Sequence, residues 1–378
     1  MAHDLSIDTE TDSISNFSIE SMASIEADSD LDEVSSQYDS CYSSIGENTC
    51  TLYSEITNYK WENGRRYHAY AEGSYWAPND EKQNTQLDIF HHVFSLMLDG
   101  KLFLAPIEQP TNVLDLGTGN PGIWAIELAD AFPNATVLGN DLSPVQPTWI
   151  PSNCSFEVDD YLRPWLYPPG SFDLIHARGC YGSVSDWSLF STEAYNALQP
   201  GGWFESVEIS SIFRSDFYPG NALPDTSLVK QWGQFANDAC EVTGRPMDIA
   251  GHVGGFMKKA GFINVVQKSF KIPHGPWPKD EKLKTIGKVN LVNVLEGAEG
   301  FTLALFTRQL GWSVEKTMEF LEKTREELMD HKKMLWMHMV VAYGQKPENA
   351  ELPSETESAY DSAYASSSRR GDVMSMEH

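Results

Sequence analysis

Between residues 112 and 209, short apolar runs alternate with stretches in which apolar residues recur at helical spacing. This is the pattern of a parallel sheet whose strands are joined by crossover helices. The runs at 112–116, 136–140, 155–158, 172–176 and 203–209 predict strands. The stretches 122–131 and 188–198 predict helices, each stopped shortly afterwards by a proline, Pro133 and Pro200. Upstream, Leu87, Phe90, Val93, Phe94, Met97 and Leu98 keep the helical period and Gly100 closes it, so 86–98 predicts a helix. Downstream the pattern turns helical, at 226–242, 249–260, 282–295, 298–310 and 313–331. Ser313 is placed to cap the last of these, with Val314, Met318, Leu321 and Leu328 along one face. Two further apolar runs, 263–270 and 337–343, predict the last strands of the sheet, and the helices between them predict a cap. The fold class is therefore α/β, with no internal repeat.

Composition changes this picture at the ends of the chain. The first fifty residues hold twelve serines and twelve acidic groups with few large apolar side chains, too little to offset chain entropy by burial. Residues 1–59 carry 13 Asp and Glu and no Lys or Arg, and 347–378 carry 7 acidic and 2 basic residues. The expected organisation is an acidic Ser-rich tail (1–59), a folded domain (60–346) and a second tail (347–378). Within the domain, 60–100 is expected to form an aromatic lid, 101–210 the core, and 211–346 the cap and last strands. The serine and acid alternation of Ser29-Asp30-Leu31-Asp32-Glu33 suits a solubilising tail, or a phosphorylation target.

Of the net charge of −27, the middle of the chain still holds 34 acidic against 25 basic residues and no basic stripe, which argues against direct nucleic-acid binding. Five cysteines without a CxxC give neither a disulfide framework nor a zinc cluster, so a reducing compartment is expected. The first residues lack a charged and then apolar leader, and no run reaches the length of a membrane span. The expectation is a soluble, unsecreted protein, cytoplasmic or nuclear.

The chemistry is concentrated in Asn112-Val-Leu-Asp115-Leu-Gly117-Thr-Gly119-Asn-Pro-Gly122-Ile-Trp124. A strand running into glycines and then a helix brings backbone N–H groups and a helix N-terminus to a ligand. Gly117, Gly119 and Gly122 also satisfy the dinucleotide fingerprint, which leaves an NAD-type oxidoreductase as one reading. Asp115, two residues before the first glycine, decides against it. A carboxylate there repels a pyrophosphate and attracts an ammonium and a sulfonium, the charges of S-adenosylmethionine. Asp141 ends the second strand, 26 residues on, where it can accept from ribose hydroxyls, and Asp159-Asp160 ends the third, facing an adenine edge.

With these residues in view the chain resembles the class I S-adenosylmethionine-dependent methyltransferases, and among them the fungal LaeA-like group. The resemblance spans 61–346. It rests on Glu62-Asn-Gly-Arg-Arg-Tyr67-His-Ala-Tyr70, Gly73-Ser-Tyr75 and Pro78-Asn-Asp80; on Val113 to Gly119 with Gly122 to Glu127; on Asp141-Leu-Ser-Pro-Val-Gln-Pro147; on Phe156-Glu-Val-Asp159-Asp160; on Phe172-Asp-Leu-Ile-His176-Ala-Arg178; and on Leu198-Gln-Pro-Gly201-Gly202-Trp-Phe-Glu205. It implies a Rossmann-like seven-stranded sheet ordered 3-2-1-4-5-7-6, the seventh strand antiparallel, with helical cap insertions. It also implies that Asp115, Gly117 and Gly119 surround the methionine end of the cofactor, that Asp141 holds the ribose, and that Leu142 belongs to the cofactor site. Asp159 or Asp160 would reach adenine, Ala177 and Arg178 would follow the fourth strand, and Tyr67 and Tyr75 would close over the cofactor. One departure stands out, for Asn120-Pro121 lengthens the glycine loop by one residue. Either Pro121 takes a first helical position, where its missing N–H costs nothing, or it blocks the close backbone approach and leaves a degenerate, non-catalytic fold.

Candidate catalytic residues are His176, as a general base at a strand end, and Glu205 and Glu208, as groups that orient an acceptor. Metal binding is not expected, since His91-His92 lacks a partner at metal-site spacing. Trp187, Trp277 and Trp312 are candidates to line an apolar acceptor pocket. The resemblance thus implies a methyltransferase of secondary metabolism acting on an apolar or aromatic small molecule. The alternative it carries is a regulator of secondary-metabolite genes that works with velvet-type protein partners.

Overall fold

The structure, a computed structural model, describes residues 56–70, 73–119 and 121–352. The tail expectations for 1–55 and 353–378 lie outside the described residues, as does Asn120. Chain order runs β1 (Lys60–Glu62), β2 (Arg65–Tyr67), α1 (Glu81–Met97), β3 (Asn112–Leu116), α2 (Ile123–Ala131), β4 (Thr136–Asp141), β5 (Cys154–Val158) and β6 (Phe172–Arg178). It continues through α3 (Trp187–Ala197), β7 (Leu198–Ile209), β8 (Arg214–Ser215), α4 (Leu228–Val242), α5 (Val253–Ala260), β9 (Ile263–Pro273), α6 (Glu281–Ala304), α7 (Val314–Leu328) and β10 (Leu335–Gln345).

The main sheet is ordered β5-β4-β3-β6-β7-β10, with β9 and the short β8 both paired to β10. Five strands are parallel, and β10 runs antiparallel between β7 and β9. Numbered over its seven long strands, this is 3-2-1-4-5-7-6, as the resemblance implies. The two faces of β3 explain the layers. Val113 packs with Phe90, Phe94, Trp124 and Leu128 under α1 and α2. Leu114 and Leu116 pack with Phe190, Ala194 and Met257 under α3 and α5. A third cluster, built from Val229, Trp232, Ala236, Phe306 and Leu321, forms the cap around α4, α6 and α7.

Register places a row of side chains across the sheet at one level, running Phe156, Gly139, Asp115, His176, Glu205 and Tyr343. Because successive residues of a strand point to opposite faces, Asp115 lies on the Val113 face, over which α1 and α2 pack.

Several element boundaries differ from expectation. The first helix starts at Glu81, since Asp80 caps it by accepting from the Gln83 N–H at 3.0 Å. The two helices expected at 282–295 and 298–310 are one, α6, which ends in a π-helical turn, Leu305–Gln309. Gly297 and Gly300 do not break it because they let α1 approach: a Cβ on Gly300 would lie 2.1 Å from Gln83 Oε1. Strand β6 runs two residues beyond 176, which moves His176 from a strand end into its interior, and β7 begins five residues before 203 while ending at Ile209 as expected.

Candidate active site

The loop after β3 is shaped by the end of β4. Gly117 N–H donates to Asn140 Oδ1 at 3.2 Å, Gly119 N–H donates to Asp141 Oδ2 at 3.0 Å, and Asp141 Oδ1 accepts from Ser143 N–H at 3.0 Å. Gly117 and Gly119 both have positive φ, at 64° and 68°. A Cβ on Gly117 would come 3.1 Å from the Tyr161 ring, so the backbone is bare where it faces the cleft. Gly122 has a different task, because a Cβ there would strike the Phe156 ring at 2.5 Å. It lets α2 pack against β5, as the third glycine of such loops does. Gly122 is also the N-cap of α2, so Pro121 stands before the helix and not at its first position.

Above this loop opens a cleft of about 150 Å³. Of the residues expected at the cofactor, Asp115, Gly117, Gly119, Asp141, Leu142, Asp160, Arg178 and Tyr75 line it. Three do not. Ala177 is buried on the α3 face of the sheet, and Asp159 turns back to accept the Asp160 N–H at 2.8 Å. Tyr67 is buried under the Arg308 guanidinium, 4.4 Å from its ring centroid, where it anchors the β1–β2 hairpin.

Asp115 is held by two side chains. Its Oδ1 pairs with His176 Nδ1 at 2.8 Å, and its Oδ2 accepts from Thr118 Oγ1 at 2.7 Å. His176 in turn lies flat on Trp124, with ring centroids 3.7 Å apart and planes within 4°. Burial holds the imidazole below its ordinary value in spite of the Asp115 carboxylate. Burial also pushes the Asp141 carboxyl up to about 6, against the N–H groups of Ser143 and Gly119. Arg178 Nη2 meets His91 Nδ1 at 3.1 Å, and its guanidinium lies 4.8 Å from the centre of Phe94. Burial lowers Arg178 to about 10, opposed by Asp115 and Glu127. The cleft therefore sets one guanidinium among three carboxylates.

None of the expected catalytic residues lines this cleft. His176 is spent on Asp115. Glu205 is fully buried and accepts the N–H groups of Leu104 and Ala105, both at 2.7 Å. Glu208, also fully buried, accepts from the N–H groups of Cys180 (3.3 Å) and Tyr181 (3.0 Å) and from Ser206 Oγ (3.1 Å). These carboxylates are spent on fixing loops. His91 pairs with Glu127 at 3.0 Å, and among the described residues no cluster suits a metal. The expected tryptophans are elsewhere too. Trp187 belongs to the α3 core, Trp277 donates to the Leu335 carbonyl, and Trp312 packs on Phe235, Phe306 and Phe320.

Sequence reasoning missed Trp76, Tyr161, Tyr181 and Phe301, which complete the cleft wall. Tyr161 follows Asp160 directly, and its hydroxyl meets Ser183 Oγ at 2.9 Å. Trp76 reaches the Tyr181 carbonyl at 3.5 Å and Asn79 reaches Ser143 at 3.0 Å, so the N-terminal segment crosses the mouth of the cleft.

The chain is similar to several known proteins. Residues 89–267 match the family model described as a methyltransferase domain. Methyltransferase pytC of Aspergillus terreus is 40% identical over 306 residues, which is 80% of this chain and 92% of that protein. The secondary metabolism regulator LAE1 of Cochliobolus heterostrophus is 35% identical over 294 residues, 76% of this chain and 94% of the relative. Probable methyltransferase tdiE of Emericella nidulans is 35% identical over 266 residues, 70% of this chain and 82% of that one. A solved phosphoethanolamine N-methyltransferase 2 of Haemonchus contortus, in complex with S-adenosyl-L-methionine, is 17% identical with a TM-score of 0.40, covering 73% of this chain and 54% of that chain.

Proposed function

The chain belongs to the methyltransferase family whose fungal members include pytC and the secondary-metabolism regulators, and from that premise we propose that it methylates an apolar or aromatic small molecule of secondary metabolism with S-adenosylmethionine as donor. The observation that carries this reading is the charge pattern of the cleft. Asp115, Asp141 and Asp160 share it with Arg178, and a zwitterionic amino acid joined to a nucleoside needs that mixture of charges.

The residues fit the group. Asp115 suits the ammonium and Arg178 the carboxylate of the amino-acid end, Asp141 the ribose hydroxyls, and Leu142 with Asp160 the base. The bare backbone at Gly117 admits the ligand where a side chain would meet Tyr161. Bound there, the cofactor supplies an electrophilic methyl carbon. The chain itself contributes alignment and the exclusion of water by Trp76, Phe90, Tyr181 and Phe301, which for methyl transfer accounts for most of what is needed. A protein doing this work would reside in the cytoplasm or the nucleus.

Isothermal titration of the purified protein with S-adenosylmethionine and S-adenosylhomocysteine tests the reading. Micromolar binding is expected, lost in Asp115→Ala and Asp141→Ala. A folded protein that takes up neither ligand overturns it. The regulator named among the relatives supports a second reading, in which the fold serves a protein partner. Recovery of a stoichiometric partner from native extract, together with absent turnover, would favour that second reading.

A further inference from the structure

We propose that a second, apolar chamber beside the cleft binds the body of an acidic enol or phenol, which arrives already ionised and whose oxyanion is held by the Tyr181 hydroxyl. The inference rests on the reading of the cleft as the S-adenosylmethionine site. The chamber, about 60 Å³, shares Trp76, Phe90, Tyr181 and Phe301 with the cleft. It continues between Phe213, Trp232, Ala236, Val294 and Met337, where the cap meets the sheet.

Apart from the Tyr181 hydroxyl, the polar side chains in its wall are engaged by partners behind it. Ser210 Oγ donates to Asp248 at 2.7 Å, Ser211 Oγ donates to Asn237 Oδ1 at 3.0 Å, and Trp232 Nε1 donates to Thr302 Oγ1 at 2.8 Å. Asn293 accepts from Gln86 at 2.6 Å and donates to Asn290 at 3.2 Å. The chamber therefore offers a ligand ring faces and alkyl surface, which selects an apolar body.

Among the described residues, no carboxylate, imidazole or amine lines this chamber. An ordinary alcohol needs such a base to lose its proton at transfer. An enol or phenol conjugated to an electron-withdrawing group sheds it to water beforehand. Tyr181 stands on the wall common to both spaces, and its hydroxyl has no hydrogen-bond partner among the described residues. Its backbone is fixed at both ends, the N–H by Glu208 and the carbonyl by Trp76. Burial, with Glu208 and Cys180 close by, pushes the phenol up, so it keeps its proton and acts as donor. The other titratable group facing it is Tyr75, while His68 and His91 line the cleft and His91 is tied to Glu127 and Arg178.

The chemistry then balances without a base. The acceptor oxygen forms its bond to the methyl carbon as the carbon–sulfur bond breaks, the electron pair stays on sulfur, and two neutral products remain. An apolar wall favours a step that cancels two opposite charges, since attraction between them is strong where water is excluded.

The test uses the full chain and 4-nitrophenol, whose ionised form is visible by absorbance. Binding is read by quenching of tryptophan fluorescence. Ionisation of the bound probe is titrated with sinefungin, which carries an amine in place of the sulfonium, and with S-adenosylhomocysteine, which is neutral at sulfur. With sinefungin the bound probe is expected to become about tenfold more acidic, a shift several-fold smaller in Tyr181→Phe and unchanged in His68→Gln. Ala236→Leu, or Val294→Phe should the first fold poorly, is expected to weaken the probe about fivefold or more while leaving cofactor heat intact. A probe that stays out, that binds only neutral, or whose ionisation follows His68→Gln overturns the proposal. Absence of cofactor heat in the folded wild-type protein overturns the underlying reading of the cleft instead.

Discussion

At Glu205 one carboxyl oxygen accepts two N–H groups while the other has no partner among the described residues, and burial pushes the group up to about 7. An acid raised in the folded state holds its proton there after the unfolded chain has released it. Its stabilisation is thus complete below about pH 4.5 and is lost as pH rises through about 7. Glu205→Gln keeps an acceptor for Leu104 and Ala105 and cannot ionise. Its melting temperature is expected to fall less than wild type between pH 6 and 9, a difference of about 2 kcal/mol at the alkaline end, read by calorimetry across that range. Equal slopes for the two proteins would refute this. The same residue shows what a strand end conceals. Asp115 and Asp141 were legible because each closes a short apolar run beside the glycines, and both line the cleft. His176, Glu205 and Glu208 look alike by that rule, but His176 and Glu205 sit inside the sheet with neighbouring strands on either side, and Glu208, one residue from the end of β7, is taken up by the loop after β6.

Among the elements, α6 carries a substitution whose sign separates propensity from packing. Ala in place of a mid-helix Gly ordinarily stabilises by about 1 kcal/mol. At Gly287, however, a Cβ would lie 2.1 Å from the Gly275 carbonyl oxygen, and Gly275 N–H donates to the Gly287 carbonyl at 2.9 Å. Gly287→Ala is therefore expected to destabilise by about 1–3 kcal/mol, seen as a lower urea midpoint. A raised midpoint would show that the loop before α6 yields. In the sequence alone Gly297 and Gly300 look like a break between two helices, and only the approach of α1 gives them another purpose. Strand positions and the capping role of Ser313 were legible because they depend on local pattern, whereas Trp76 and Tyr181, 105 residues apart, meet only through the fold.

On the scale of the whole molecule, the N-terminal hairpin is fastened to the far end of the chain. Arg65, buried, makes a two-pronged pair with Asp80 at 2.6 and 2.8 Å and reaches Glu299 at 3.2 Å, while Arg308 meets Glu62 at 2.8 Å. Arg65→Met would leave Asp80 buried without its cation, at a cost of about 3 kcal/mol. The same change is expected to speed release of S-adenosylhomocysteine in stopped-flow, because the segment that carries Tyr75 and Trp76 across the cleft hangs from this pair. Unchanged stability and unchanged release together would refute that linkage. No helix among the described residues is long and apolar enough to cross a membrane.

The contact between Arg65 and Glu299 joins residues 234 positions apart. A ribosome delivers the strap early and its anchor late, separated by roughly 10–50 s of elongation. The glycine loop and its strands are complete before that anchor emerges. During this interval the hairpin lacks its long-range anchor, so the cover of the cleft is fastened only once α6 has been made.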